Sequence, residues 1–151
     1  MTRVAAREYA MQLVFAMFEN PAHGDDFLTE MLGERFVSLA EEDELFRADI
    51  DPESREYLLR LVAGTSEHGA ELDSYIEKYA KGWEFSRISA VALAAMRVAM
   101  YETMYMRDVI PPRASINAVI DLVKKYDSDE TAKFVNGVLG TFSRAELGDN
   151  E

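Results

Sequence analysis

Apolar side chains recur every three or four residues over most of this chain, which is the spacing of one face of an α-helix. No stretch alternates apolar and polar residues for long, and few β-branched runs are bounded by turn residues. The pattern therefore predicts an all-α fold of six or seven helices. The 151 residues correspond to a single domain, 1–151, in which we expect two packed helical subdomains, about 1–80 and about 81–147, with a seam near Trp83.

Residues that cap or break helices set the expected ends of each helix. Residues 41–50 have no sustained apolar stripe and should form a surface loop or a short turn, whereas Gly64 and Gly69 favour a kink or a break. Six helical segments are predicted. The first covers about 2–19, the second begins at 25 or 26 and includes the apolar residues up to 39, and the third covers 52–80. The fourth runs from 86 or 89 to 106, the fifth from 112 to the turn at 127–129, and the sixth covers about 131–146. The residues expected to form the inward stripe of the first helix are Val4, Met11, Val14, Phe15 and Phe18.

The segment 133–139, with the sequence KFVNGVL, carries conflicting local signals. Asn136-Gly137 is by itself a common centre of a tight turn. The apolar residues on both sides recur at helical spacing, so we expect a helix to continue through Gly137. Glycine inside a helix costs about 1 kcal/mol relative to alanine, so its presence there indicates a close approach to the backbone.

The composition is that of a globular protein, with 48% hydrophobic and 11% aromatic residues. The absence of cysteine excludes disulfides and thiolate metal sites, and it agrees with a reducing cytoplasm as the expected location. No stretch approaches the roughly 18 uncharged apolar residues that a membrane span requires. The longest candidate, 88–106, is interrupted by Arg97 and Glu102, so we expect no membrane association.

The net charge of −12 is concentrated in one part of the chain. Residues 19–73 carry sixteen acidic and four basic side chains, a balance of −12, whereas residues 1–18 have a balance of +1 and residues 74–151 a balance of −1. A polyanion such as RNA would be repelled by the middle segment and would have to bind elsewhere. The alternative is that the acidic residues form a solvated face that keeps the protein soluble.

The residue types needed for catalysis do not occur in the required spacings. His23 and His68 have neither the HExxH nor the CxxC partners of a metal site, and residues 41–44 lack the ligand pattern of a calcium loop. No glycine-rich phosphate loop and no serine on a strand-turn-helix elbow is present in the sequence. We therefore expect no enzyme activity, no catalytic residues, no metal site and no cofactor.

Two small basic groups are candidates for RNA binding. Arg3 and Arg7 lie four residues apart at the start of the first helix, so they should project from one side of it, where helix N-terminal amides also favour phosphate. Lys124, Lys125 and Lys133 form a second group near the Asn-Gly helix. The aromatic residues that either stack on RNA bases or pack in the core are Tyr9, Phe15 and Phe18.

Motifs spread over residues 5–142 resemble those of the NusB family of bacterial transcription antitermination factors. The first-helix pattern begins Ala6-Arg7-Glu8, and the central helix carries the pairs Met96-Arg97 and Tyr101-Glu102. The remaining matching segments are Leu61-Val62-x-Gly64, Leu72-Asp73-x-x-Ile76, Trp83 with Arg87-Ile88, Asp108 to Pro111, Ile116-Asn117, and Lys133 to Leu139. The similarity is weakest over 19–50.

The resemblance implies a cytoplasmic, all-helical and non-enzymatic RNA-binding protein. Members pair with the small-subunit ribosomal protein that doubles as Nus factor E, bind boxA RNA, and promote read-through by the RNA polymerase antitermination complex in ribosomal RNA operons. By this resemblance Arg3 and Arg7 contact phosphates and Phe15 lies near the RNA, while Lys133 with Phe134 borders the same surface and Glu130 lies at its edge. The pairs in the central helix would be structural.

Three departures from the family pattern weaken the expected RNA contacts. Val4 and Ala5 interrupt the N-terminal run of arginines, Ala118 replaces an acid after Ile-Asn, and Gly140 replaces an acid or amide. We therefore expect weak RNA binding by the free chain and stronger binding with the ribosomal partner. The alternatives are an interaction module or homodimer that has lost RNA binding, and the RNA-binding domain of a ribosomal RNA methyltransferase.

Overall fold

The computed structural model describes residues 2–19 and 51–148 of the chain. These residues form six α-helices, one short 3-10 helix and no strand, which confirms the all-α prediction. The helix predicted from residue 25 or 26 and the loop predicted over 41–50 lie outside the described residues. The elements are α1 (Arg3–Glu19), α2 (Pro52–Glu67), α3 (Gly69–Tyr79), the 3-10 helix (Phe85–Arg87), α4 (Ala90–Tyr105), α5 (Pro112–Tyr126) and α6 (Asp129–Glu146).

The chain divides into two compact units, Met1–Ala63 and Gly64–Glu151. The division falls inside α2, earlier in the chain than the subdomain boundary expected near residue 80. The C-terminal turn of α2 therefore belongs to the second unit, together with α3 to α6.

In the first unit, α1 begins where its sequence predicted a cap. The backbone N–H of Ala5 donates to Oγ1 of Thr2 at 3.1 Å. Residues 5–11 are all buried, whereas Val4 is 59% exposed and Phe15 is half-buried. The inward position expected for Val4 is therefore wrong, because the buried part of the helix begins one residue later.

Helix α2 starts as expected at Asp51-Pro52. The backbone N–H of Ser54 donates to Oδ2 of Asp51 at 3.1 Å, and proline occupies the first helical position, where no backbone donor is needed. The hydrogen bonds from Ser54 hold the pKa of Asp51 well below its usual range, so the capping carboxylate is ionised at neutral pH. The apolar residues that α2 contributes to the core of the first unit are Tyr57, Leu58, Leu61 and Val62.

The predicted break between Gly64 and Gly69 occurs at His68, which separates α2 from α3. Gly64 is buried, and a Cβ atom placed on it would lie 2.0 Å from Cζ of Tyr101 on α4. The ring of Tyr101 continues into a cluster with His68 and Tyr105, with centroid separations of 5.7 and 5.1 Å from the Tyr101 ring. Gly64 thus allows an aromatic ring to lie against the backbone of the last turn of α2.

Helix α4, whose sequence is rich in alanine and methionine, is the central element of the second unit. It contacts α3, α5 and α6, and its small buried side chains permit those close approaches. Oγ of Ser89 accepts a hydrogen bond from the N–H of Ala92 at 3.1 Å, so Ser89 is the N-cap. Helix α5 begins at Pro112, and Ser128 caps α6 through the N–H of Thr131 at 3.1 Å.

Two polar pairs connect α4 to its neighbours. Nε and Nη2 of Arg97 donate to Oδ1 and Oδ2 of Asp73 on α3 at 2.7 and 2.5 Å. The fully buried Glu102 accepts a hydrogen bond from Oγ of Ser115 on α5 at 3.1 Å. Both contacts are internal to the second unit, in agreement with the structural role expected for the central-helix pairs.

Candidate nucleic-acid interface

The first turn of α1 presents one of the two arginines expected to contact RNA. Arg3 is exposed, and its guanidinium lies 4.2 Å from the centre of the Tyr57 ring on α2. Arg7 is only 3% exposed and has interaction partners within the chain. The expectation that both arginines project from the helix is therefore wrong for Arg7, because the helix surface is already buried one turn after Arg3. Its assignment to RNA stays a prediction.

The surroundings of Arg3 are partly acidic. A small cavity of about 160 Å³ is lined by Arg3, Ala6, Asp51, Glu53 and Ser54. Two carboxylates thus face the same space as the guanidinium, and they oppose the approach of a phosphate group. Of the aromatic candidates on α1, Tyr9 is buried in the core and Phe15 is half-buried.

The second candidate surface lies on α6 and combines charge with an aromatic side chain. Glu130, Lys133 and Phe134 are spaced by three and four residues, so they share one side of the helix. Glu130 and Lys133 are exposed, and Phe134 is half-buried. All three predicted residues of this group are thus brought together at an accessible surface; their contact with RNA remains a prediction.

Gly137 lies in the interior of α6, so the turn that Asn136-Gly137 favours locally does not form. The residue is exposed, and, apart from its own turn of helix and its chain neighbours, no atom of the described residues lies within 4 Å of the position that a Cβ atom would occupy. The close approach expected at this glycine is therefore not made by the described residues. The space beside it is open to a binding partner.

An open groove of about 790 Å³ runs beside Gly137, between the start of α5 and the second half of α6. Its polar lining includes Arg113, Asn117, Asn136 and Arg144, and no acidic residue within 2–19 and 51–148 lines it. A neighbouring groove of about 540 Å³ is lined by Lys124 and Lys133, together with Asp121 and Asp129. The exposed side of α6 is thus less acidic than the composition of the whole chain suggests.

Sequence reasoning treated Trp83 as a seam between subdomains and as part of a matching family segment, and it missed the position of this residue beside Phe134. The indole is 54% exposed, and its ring centroid lies 4.6 Å from that of Phe134 with an interplanar angle of 45°. The available signal was the single tryptophan of the chain in a Lys81-Gly82-Trp83 turn, since tryptophan is seldom left exposed without a partner.

The C-terminal end of α6 is held by a polar cluster. Glu146 accepts hydrogen bonds from Nζ of Lys78, at 3.1 Å, and from the hydroxyl of Tyr79. The Tyr79 hydroxyl, followed by Lys78, lowers the pKa of Glu146, and the bond to Glu146 raises the pKa of Tyr79. The cluster fixes the end of α6 against α3 without involving the candidate RNA residues.

The described residues also bear on metal binding and on membrane insertion. Among residues 2–19 and 51–148 there is no group of His, Asp and Glu side chains arranged to hold a metal ion. No helix in the same ranges has the length and apolar character needed to cross a membrane.

Comparison with known proteins gives a consistent result over almost the whole chain. The model of the NusB family matches residues 4–144. The transcription antitermination protein NusB of Acetivibrio thermocellus is 36% identical over 147 residues, covering 97% of this chain and 92% of that protein. The corresponding protein of Alkaliphilus oremlandii is 38% identical over 146 residues, covering 97% and 96%.

Solved structures agree with the sequence comparison. A crystal structure of antitermination factors NusB and NusE in complex with dsRNA superposes with a TM-score of 0.76 at 26% identity, covering 96% of this chain and 99% of that one. The solution structure of NusB from Aquifex aeolicus gives a TM-score of 0.69 at 28% identity, covering 99% and 94%. With the family model matched from the first turn of α1 to the last turn of α6, this chain belongs to the NusB family.

Proposed function

We propose that this protein is a transcription antitermination factor that acts in the cytoplasm. It binds boxA RNA together with the small-subunit ribosomal protein that serves as Nus factor E, and it promotes read-through by RNA polymerase in ribosomal RNA operons. The observation that carries the proposal is the match of the NusB family model to residues 4–144, since relatives of 36% and 38% identity are named transcription antitermination proteins. The complex of NusB and NusE with dsRNA supports both classes of partner.

The surface chemistry supports an RNA site that this chain shares with its protein partner, rather than one formed by this chain alone. Arg3 faces Asp51 and Glu53 in the first unit, and Lys133 is accompanied by Glu130 in the second. Each basic residue therefore attracts a phosphate in the presence of nearby carboxylates, and the chain as a whole carries a net charge of −12. A basic partner protein supplies the additional positive charge that tight binding of a polyanion requires.

The test is a titration of fluorescently labelled boxA-type RNA with the full chain, alone and with the ribosomal protein, at two salt concentrations. We expect weak binding by the chain alone and tight, salt-sensitive binding by the mixture. Equal affinity with and without the partner would contradict the shared site. Absence of binding in both cases, with a stable homodimer in sedimentation, would contradict the proposed function and favour an interaction module that lacks RNA binding.

Single charge removals sharpen that experiment. Replacing Arg3 or Lys133 with alanine should each reduce the slope of log affinity against log salt by roughly one unit at most, since each removes one phosphate contact. Arg55→Ala is the matched control, because Arg55 is an exposed arginine of α2 that is not among the candidate residues. An Arg55 variant with the same loss as the Arg3 variant would mean that only the overall charge matters.

A further inference from the structure

The exposed indole of Trp83 is the most accessible aromatic side chain in the part of the chain that the structure describes. Its exposed fraction is 54%, compared with 37% for Tyr105 and 36% for Tyr126. One part of the indole rests on Phe134, and the remainder faces outward. Large apolar rings usually become buried on folding, so a ring held in this position is suited to an incoming flat partner.

The backbone fixes the ring in its exposed position. Gly82 has φ +84°, which favours glycine, and the N–H of Trp83 donates to the carbonyl oxygen of Ala80 at 3.2 Å. The next residue, Glu84, is extended and immediately precedes the short 3-10 helix. Trp83 is thus carried on a tight turn between two helical segments. A ring that is positioned before binding loses little conformational freedom when a partner stacks on it.

The charges around the pair suit a nucleotide. Lys81, two residues before Trp83, and Lys133, adjacent to Phe134, are both exposed. The nearest acid along the chain, Glu84, forms an ion pair with Arg87 at 3.4 Å, which offsets its charge. A base has a π-face for the indole, and the exposed Lys81 and Lys133, which neighbour the two rings in the sequence, supply positive charge for its phosphate. The exposed Glu130, on the same side of α6 as Phe134, opposes part of that charge.

The size of the apolar surface argues for a base rather than a protein. A stable protein interface covers about 800 Å² on each partner, whereas this surface consists of one half-exposed indole against one half-buried phenyl ring. Beside it, Gly137 follows Phe134 by one helical turn and leaves open space. A sugar-phosphate backbone can therefore come closer to α6 at Gly137 than at a residue that carries a side chain.

We propose that Trp83, supported by Phe134, is the stacking platform for one unpaired base of single-stranded RNA. The inference rests on the proposed function, because it assigns a further contact to the same RNA surface. It adds a residue that is absent from the predicted set and that contributes through ring stacking rather than charge.

The single tryptophan of the chain makes the inference directly measurable. Unlabelled boxA-type single-stranded RNA is titrated into the complex of the full chain and the ribosomal protein, with tryptophan emission as the signal. The same titration with Trp83→Phe gives the contribution of the partner, which is subtracted. Anisotropy of labelled RNA measures binding independently. We expect the Trp83 emission to be quenched in parallel with the rise in anisotropy.

Three variants separate stacking from other contributions. Trp83→Leu keeps an apolar contact with Phe134 but has no π-face, so we expect the RNA dissociation constant to rise by roughly 5- to 150-fold, the range found for loss of one stacked base. Trp83→Phe should retain most of the affinity. Tyr126→Ala, which removes an exposed ring of α5, is the matched control and should leave the affinity unchanged. The salt slope should stay unchanged in Trp83→Leu, because no phosphate contact is lost.

The outcomes distinguish the inference from the proposed function. Binding seen by anisotropy, with unchanged emission and unchanged affinity of Trp83→Leu, would overturn the inference and leave the proposed function intact. Absence of binding by anisotropy in every mixture would overturn both. A change in Trp83 emission on adding the ribosomal protein alone, before RNA, would place the ring in a protein interface and would also overturn the inference. Thermal unfolding of each variant establishes that it is folded.

Discussion

Two helical glycines of this protein have opposite surroundings. Gly64, in the last turn of α2, is buried, and a Cβ atom there would overlap the Tyr101 ring. Gly137, in the middle of α6, is exposed, and within the described part of the chain a Cβ atom there would meet nothing within 4 Å beyond its own turn of helix and its chain neighbours. A glycine inside a helix therefore permits close packing at Gly64 and leaves an open surface at Gly137.

The neighbours of the two glycines differ in the same way. Around Gly64, the rings of His68, Tyr101 and Tyr105 pack together. On the side of α6 that carries Gly137 lie the exposed Lys133 and the half-buried Phe134, and the exposed Trp83 rests against Phe134. We expect substitutions in the first region to change the stability of the protein, and substitutions in the second to change RNA binding.

The largest effect is expected from Gly64→Ala. The new methyl group would lie 2.0 Å from Cζ and 2.2 Å from Oη of the buried Tyr101, so the ring would have to move. Because the clash is with a buried ring, we expect the upper end of the roughly 1–3 kcal/mol that overpacking costs, against a gain of about 1 kcal/mol in helix propensity, and so a net loss of about 2 kcal/mol in the free energy of unfolding. Urea denaturation followed by circular dichroism measures it.

A second variant tests whether Tyr101 is the cause of that loss. In a Tyr101→Leu background the ring is absent, so Gly64→Ala should cost less or become stabilising. The same cost in both backgrounds would show that the clash with Tyr101 is not responsible. RNA affinity should be unchanged in every variant that remains folded.

The next effect concerns the ion pair that joins α3 to α4. Arg97 donates twice to Asp73, and the two side chains are 20% and 27% exposed. Arg97→Ala should lower the free energy of unfolding by about 1–2 kcal/mol, because it leaves a half-buried carboxylate without its two-point partner. Arg97→Lys keeps the charge but cannot form both hydrogen bonds, so its free energy of unfolding should lie between those of the unmodified chain and Arg97→Ala. A loss no greater than that of Arg55→Ala would contradict the assigned role.

Gly137→Ala should have a smaller effect on stability, and of the opposite sign. With no atom in the path of the methyl group, the variant gains helix propensity of about 0.5–1 kcal/mol. If RNA approaches the helix at this point, the same substitution weakens RNA binding while it stabilises the protein. Denaturation and RNA titration on one sample measure both. Higher stability with unchanged RNA affinity would mean that the open space at Gly137 is not used by RNA.

The two glycines also mark what sequence reasoning could and could not reach. Helical periodicity was sufficient to predict that α6 continues through Asn136-Gly137, and caps such as Thr2 and Ser128 marked helix starts. These features depend on residues close together in the chain. The burial of Arg7 and the pairing of Trp83 with Phe134 depend on contacts between residues far apart, and no local pattern encodes them.

The last and smallest effect is the response of the Gly64 region to alkaline pH. The hydroxyl of Tyr105 donates to Oε1 of Glu71 at 2.7 Å, and this bond, followed by desolvation, raises the pKa of Tyr105 from 10.0 to about 12. Because the folded protein holds this proton more tightly than the unfolded chain, the stabilisation is complete below pH 10 and is lost as the pH rises towards 12.

Subtracting the 295 nm absorbance titration of Tyr105→Phe from that of the unmodified chain isolates the titration of Tyr105. Glu71→Gln removes the negative charge and should move the midpoint back towards 10, whereas Glu130→Gln, on the exposed side of α6, should leave it in place. An unchanged midpoint in the Glu71 variant would mean that burial beside His68 and Tyr101, rather than the carboxylate, sets the pKa of Tyr105.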